Sequence, residues 1–210
     1  MKITLRITAV GALALALLTA CGGGTGQIET FKPGRILVFG DEHSAFTADG
    51  RKYSVNGLKT DGTVDCELNP LWVQSVATGF GLRFAQCQGT ATEALASTDA
   101  VPGATVAGVR SQIDARASSL VSKDLVLMMA GLHDVVQIYE ARVASDTDEQ
   151  LLQRARERGL LMAEQVNRLV GLGARVIVAT MPDVGLTPWA LAKGEAEARL
   201  LTQMSLAFNG

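Results

Sequence analysis

Three short, unbroken apolar runs punctuate the chain: Ile36-Leu37-Val38-Phe39, Leu125-Val126-Leu127-Met128-Met129-Ala130 and Val176-Ile177-Val178-Ala179. Such runs suit strands covered on both faces, as in a parallel sheet. Between them the apolar positions recur every three or four residues, the period of a helix with one buried face. That spacing predicts helices over Asn69–Gly79, Val106–Leu120, Thr147–Leu172 and Lys193–Asn209. In the first, Asn69 is placed as a cap, Pro70 fits the opening turn, and Leu71, Trp72, Val76 and Phe80 share a face. The long third helix exposes Arg154, Arg156, Glu157 and Arg158, and turns Leu152, Leu160, Met162, Val166 and Leu169 inward. In the last, Leu200, Leu201, Met204 and Phe208 point inward.

Weaker signals fill the gaps. Asp49-Gly50, Asn56-Gly57 and Asp61-Gly62 are turn pairs, with Lys52-Tyr53-Ser54-Val55 between them as a short hairpin strand. Gly81–Ala85 is a further strand candidate, and Gln88–Val101 reads as a loop. Strands alternating with helices imply an α/β fold of three layers (α/β/α), a parallel sheet with helices on both faces and right-handed crossovers. Polar residues stand at the strands' C-terminal ends: Asp41 and Glu42, then His133 and Asp134, then Asp183. In open α/β sheets ligands sit at that edge.

The N-terminus has a different character. Lys2 and Arg6 precede the apolar stretch Ile7–Leu17, the layout of an export signal over residues 1–20. Leu18-Thr19-Ala20-Cys21 resembles the bacterial lipobox, which implies acylation (palmitate among the acyl groups) of Cys21. Gly22-Gly23-Gly24-Thr25-Gly26 follows as a flexible tether, so residues 21–34 link a lipid anchor to a domain over 35–210. The resemblance implies an exported, membrane-anchored lipoprotein on the periplasmic face of the outer membrane, since Gly22 lacks the acidic inner-membrane retention residue. Without residues 1–20 the chain carries 17 basic against 21 acidic residues, which argues against a nucleic-acid partner. Cys66 and Cys87 form an even pair in an exported chain and read first as a disulfide.

Phe39-Gly40-Asp41 leading into a polar turn resembles the first block of the SGNH hydrolases, or GDSL esterases and lipases. The resemblance covers about Arg35 to Asn209. In that family the residue after Gly-Asp is the nucleophilic serine; here it is Glu42, and Ser44 is a displaced, weaker candidate. Gly103 resembles the glycine whose N–H helps form the oxyanion hole. Gly131-Leu132-His133-Asp134 resembles the Gly-x-Asn-Asp block, with His133 in place of the oxyanion-donating asparagine. Met181–Pro188 resembles a loop of the lipase branch. The family's closing Asp and His have no counterpart after His133, and its final strand is missing from these 210 residues.

Acyl transfer needs a nucleophile, a base and donors where the oxyanion develops. The substitutions therefore imply a catalytically impaired relative with a pocket between Gly40, Gly103 and His133 for an acyl-ester or glycan ligand. An active esterase, in a longer chain or with another nucleophile, and a structural envelope lipoprotein are the alternatives. Glu42 and His133 are expected to lie in contact as an ion pair. Asp41, Glu42 and His133, with Asp134 or Asp183, offer ligands for zinc, manganese or iron, but the pair or a polar rim without metal or cofactor is the reading adopted. His43 is expected to be an exposed turn residue, and Asp41 to tie the turn's N–H groups together.

Overall fold

The structure is a computed structural model that describes residues 30–87 and 95–210. Residues 1–29, with the export signal, Cys21 and the glycine tether, lie outside the described residues, as do residues 88–94 of the expected loop.

Lys32–Gly210 is one unit built on a four-stranded parallel sheet whose strands run in the order Ala96–Thr98 (β4), Arg35–Gly40 (β1), Asp124–Met129 (β5), Arg175–Val178 (β6). The apolar runs supply its centre: β1 is Arg35–Gly40 and β5 is Asp124–Met129, paired along six residues from Arg35↔Asp124 to Gly40↔Met129. Every residue of β5 is buried, and so is Ile36–Gly40. At the foot of the sheet, Arg35 Nε donates to Asp124 Oδ1 at 2.7 Å and Val121 N–H to Oδ2 at 2.8 Å, so the buried Asp124 is satisfied.

Helices flank the sheet: α1 (Trp72–Gly79), α2 (Val106–Arg116), α3 (Leu132–Glu140), α4 (Asp148–Gly171), α5 (Pro188–Leu191) and α6 (Glu195–Asn209). Leu37, Phe39, Val126 and Met128 from one sheet face join a core with Val109, Ile113, Val135, Leu151, Leu169, Leu201 and Met204 from these helices. The opposite set, Ile36, Val38, Leu125 and Leu127, is buried as well. This is the expected α/β layering. Thr147 caps α4 by accepting from Gln150 N–H, and Gln150 reaches back to the Thr147 N–H, a reciprocal pair that satisfies two orphan donors. Among the described residues no helix is long and apolar enough to cross a membrane.

Several expectations need correction. Ala96–Thr98, inside the expected loop, is strand β4, paired in parallel with β1 at Ile36↔Ala96. Gly81–Ala85 is not a strand; only Phe84 bridges to Ala96, and Ala85–Cys87 coils into a 3₁₀ turn. The hairpin lies further along than expected, with β2 (Gly57–Leu58) against β3 (Val64–Asp65), while Lys52 only bridges Phe46. Asn69 does not cap α1: it sits at φ 52°, and the Gln74 side chain accepts instead from Leu71 N–H at 2.8 Å. In α4 the buried residues include Leu151 and Ala155, and Leu160 is exposed. Strand β6 (Arg175–Val178) is an edge among the described strands, with Ile177 and Val178 exposed.

Candidate functional site

Gly40 ends β1 where a side chain has no room: a Cβ built there would lie 2.2 Å from the Met129 carbonyl oxygen. The Gln112 side chain of α2 holds that glycine from the side. Gly40 N–H donates to Gln112 Oε1 at 2.8 Å, and Gln112 Nε2 donates to Gly40 O at 2.9 Å. No signal in the sequence points to Gln112, since a lone glutamine on a helix carries no motif.

The chain then turns through Asp41 into a 3₁₀ turn over Glu42–Ser44. Asp41 is 1 % exposed and accepts from His43 N–H at 3.0 Å, so it ties the turn together. The same Oδ1 receives His43 Nδ1 at 2.9 Å. His43 is therefore not the free, exposed residue expected but half-buried and pinned, 6.2 Å from the Tyr53 ring centre. Ser44 is fully buried, accepts from Trp72 Nε1 at 3.0 Å, and gives its carbonyl to Thr98 Oγ1. Its buried hydroxyl, engaged with the indole, ties the turn to α1.

Glu42 is the residue on which the site converges. The residue is 5 % exposed. Oε2 accepts from Gly103 N–H at 2.9 Å, and His133 Nε2 lies 2.8 and 2.9 Å from the two carboxylate oxygens. A carboxylate only accepts, so His133 must be the donor. Burial raises the Glu42 pKa, but the N–H groups of Gly103 and of Glu42 itself, with His133, outweigh it and hold the group below the ordinary carboxylate value. Three separate stretches meet here: the turn after β1, the loop before α2, and the first turn of α3.

The other acidic residues are occupied elsewhere. Asp134 is 3 % exposed and accepts from Val106 N–H at 2.9 Å, which caps the start of α2. Burial pushes its pKa up against that hydrogen bond. Asp183 accepts from Gly185 N–H and Thr202 Oγ1, fastening a 3₁₀ turn to α6. Among the described residues no group of three or more His, Cys, Asp or Glu is placed to hold a metal ion. Cys66 and Cys87 are joined by a disulfide.

The Asp41–His43 contact makes one consequence measurable. Its hydrogen bond to Asp41 raises the His43 pKa against burial, and the charges of Asp41 and Glu42 add to the rise. A raised histidine stabilises the fold fully below its unfolded value near 6.5, and that contribution fades as pH climbs through the higher folded value. Urea unfolding midpoints of the parent should therefore fall more than those of His43→Gln between pH 6 and 8.5. Parallel curves over that range would refute the pairing.

Fold and turn together define an α/β domain that presents two acid–imidazole pairs, Asp41–His43 and Glu42–His133, at the C-terminal edge of a parallel sheet. The solved structures it is similar to include an acetylxylan esterase from Geobacillus stearothermophilus, at 20% identity over 86% of this chain and 75% of that one, with a TM-score of 0.33. Another is a member of the lipolytic protein G-D-S-L family from Veillonella parvula DSM 2008, at 14% identity over 82% and 96%, with a TM-score of 0.31. No family model and no curated protein matches the chain. At such scores these likenesses carry no argument about chemistry, which rests on the residues themselves.

Proposed function

We propose that this chain is an exported, lipid-anchored relative of the SGNH/GDSL ester hydrolases whose site no longer turns over esters. The carrying observation is the Glu42 carboxylate, held by Gly103 N–H and His133 Nε2 at 2.8–2.9 Å. By resemblance Glu42 stands at the serine's position, and Gly103 and His133 stand where the oxyanion donors belong. A held anion there does two things. It leaves no hydroxyl to attack a carbonyl, and it repels the negative charge that a tetrahedral intermediate would develop. Both histidines of the chain are engaged by carboxylates of the same turn, so neither stands ready to activate Ser44. Any acyl-ester or acylated glycan ligand is then held without turnover. The lipobox-like Leu18-Thr19-Ala20-Cys21 supports tethering to a membrane through Cys21, on the periplasmic face of an outer membrane.

Hydrolysis of p-nitrophenyl acetate and butyrate by the full chain tests this reading. The parent, Glu42→Ala and Ser44→Ala proteins should all stay at the buffer rate. Parent turnover that Ser44→Ala abolishes would overturn it, because a working nucleophile would then exist. In cells fed a labelled fatty acid, the chain should take up label and Cys21→Ala should not.

A further inference from the structure

In a parallel sheet every strand enters at the same edge. The loops before β4, β1, β5 and β6 therefore lie side by side, at the edge opposite the Glu42 turn. Contacts join them in that order. Ile36 N–H donates to Leu95 O at 2.8 Å, and Gly34 N–H donates to Lys123 O at 2.8 Å. A Cβ at Gly173 would lie 3.8 Å from Ser122 Cα. The row so formed exposes Leu95, Val121, Val170 and Leu172 beside Lys32, Lys123 and Arg175. Over residues 32–35, 95, 121–124 and 170–175 the single acidic residue is Asp124, buried and held by Arg35. Without residues 1–20 the chain carries 17 basic against 21 acidic residues, so this edge is opposite in sign to the rest.

The chain also enters the domain at this edge. Ten residues, 22–31, separate Cys21 from Lys32. Fully extended, ten residues span at most ~35 Å. A lipid on Cys21 thus keeps this edge near the lipid surface, where it docks with the least extension and at high effective concentration. Aliphatic side chains among Lys and Arg suit such a surface when it is anionic: the apolar groups enter the headgroup boundary and the cations meet phosphates.

We propose that this edge, with Lys32, Leu95, Val121, Lys123, Leu172 and Arg175, docks on an anionic phospholipid surface. The inference rests on the lipid anchoring at Cys21 given above. Strand β1 has six residues, so docking holds the Glu42 turn about 20 Å from the lipid and facing away from it. The site then meets ligands beyond the bilayer and not the lipids beneath it.

The test uses the full chain, recovered from bacterial membranes and reconstituted in vesicles, with an environment-sensitive dye on one added cysteine. Val121→Cys reports on the proposed face. Val101→Cys is the control: its N–H donates to Gly40 O at the opposite edge, and both positions are 54 % exposed. Cys66 and Cys87 are bridged and do not take the dye, and Cys21 is acylated in this reading. In vesicles of phosphatidylethanolamine with phosphatidylglycerol, the Val121→Cys dye should shift to the blue and be quenched by spin-labelled lipid. The Val101→Cys dye should do neither. Combining Lys32→Gln, Lys123→Gln and Arg175→Gln should lower the ratio of docked to undocked chains on the order of 100-fold, about fivefold per cation. The protein should still float with the vesicles. Equal responses from the two dyes overturn the proposal, and so does a Val121→Cys shift that survives removal of the three charges. A shift that is as large in phosphatidylcholine and grows with protein density also overturns it, because a second copy then covers the face. Flotation keeps the two readings apart. A chain that floats without the Val121→Cys shift loses the docking face alone, whereas one that does not float loses the anchor and the docking with it.

Discussion

Gly40→Ala is expected to lower the unfolding free energy by about 4 kcal/mol or more, a large share of the 5–15 kcal/mol typical of a domain. The added Cβ would meet the Met129 carbonyl oxygen at 2.2 Å, so the obstacle is the backbone of β5 and not a side chain that can rotate away. Relief requires β1 and β5 to separate at the top of a ladder paired over six residues in the middle of the core. Any such shift also pulls Gly40 from the Gln112 amide and from Val101 N–H, which donates to Gly40 O at 3.0 Å. Asp41 and Glu42 follow directly, so the site is disturbed with the fold. Gly62→Ala separates crowding from backbone conformation: Gly62 has φ 81° but nothing within 4 Å of its would-be Cβ. It should cost only about 1 kcal/mol, the usual left-handed penalty. Urea denaturation of both variants measures the difference. A Gly40→Ala midpoint no lower than that of Gly62→Ala would show that the close approach is not limiting.

The elements legible in the sequence are those whose burial is written into a local pattern. β1 and β5 are continuous apolar runs, and α4 combines a 3.6-residue period with Thr147 and Gln150 at its start. Ala96-Ser97-Thr98 has neither length nor hydrophobicity; it is a strand because the β1 edge offers it partners, a long-range cause that no local window contains. Helix α3 was hidden by β-branched Val135, Val136 and Ile138, although Val135, Ile138 and Tyr139 fall at helical spacing and are buried. Lys52 reads as a strand residue from the turn pairs on either side of its segment, and the burial of a single lysine leaves no local pattern to show otherwise. At the site, motif resemblance singled out Glu42, Gly103 and His133, and the structure brings these three together. Asp134, Asp183 and Ser44 sat near the same edge in sequence but are drawn off by Val106 N–H, by Gly185 N–H with Thr202, and by Trp72. Helix starts and tight turns carry unpaired N–H groups that compete for nearby carboxylates. Sequence position cannot show which claim prevails.

Replacing both bridge cysteines, Cys66→Ala with Cys87→Ala, is expected to cost about 3 kcal/mol, the chain-entropy value for a loop of 21 residues. The bridge does not act alone, and the surrounding contacts sharpen the prediction. Lys52 is 5 % exposed and directs its ammonium at three backbone carbonyls: Cys66 at 3.2 Å, Asn69 at 2.9 Å, and Leu68. Burial pushes the Lys52 pKa down, against the opposing charge of Asp65. Gln74 adds a bond from Nε2 to Cys66 O at 2.9 Å. Bridge and lysine thus fasten the same segment, Cys66–Asn69, by different means. Lys52→Met should cost about 2 kcal/mol, because charged donors are lost and three carbonyls are left under-satisfied. Once the bridge is gone the segment can fray toward water, where those carbonyls find other partners, so the lysine then has less to hold. The combined loss should therefore fall short of the sum of the separate losses by at least about 1 kcal/mol, the size of coupling expected for groups in contact. Urea unfolding of the parent, the cysteine pair variant, Lys52→Met and the triple variant closes this cycle. Additivity within about 0.5 kcal/mol would mean that the bridge and the lysine stabilise separate parts of the fold.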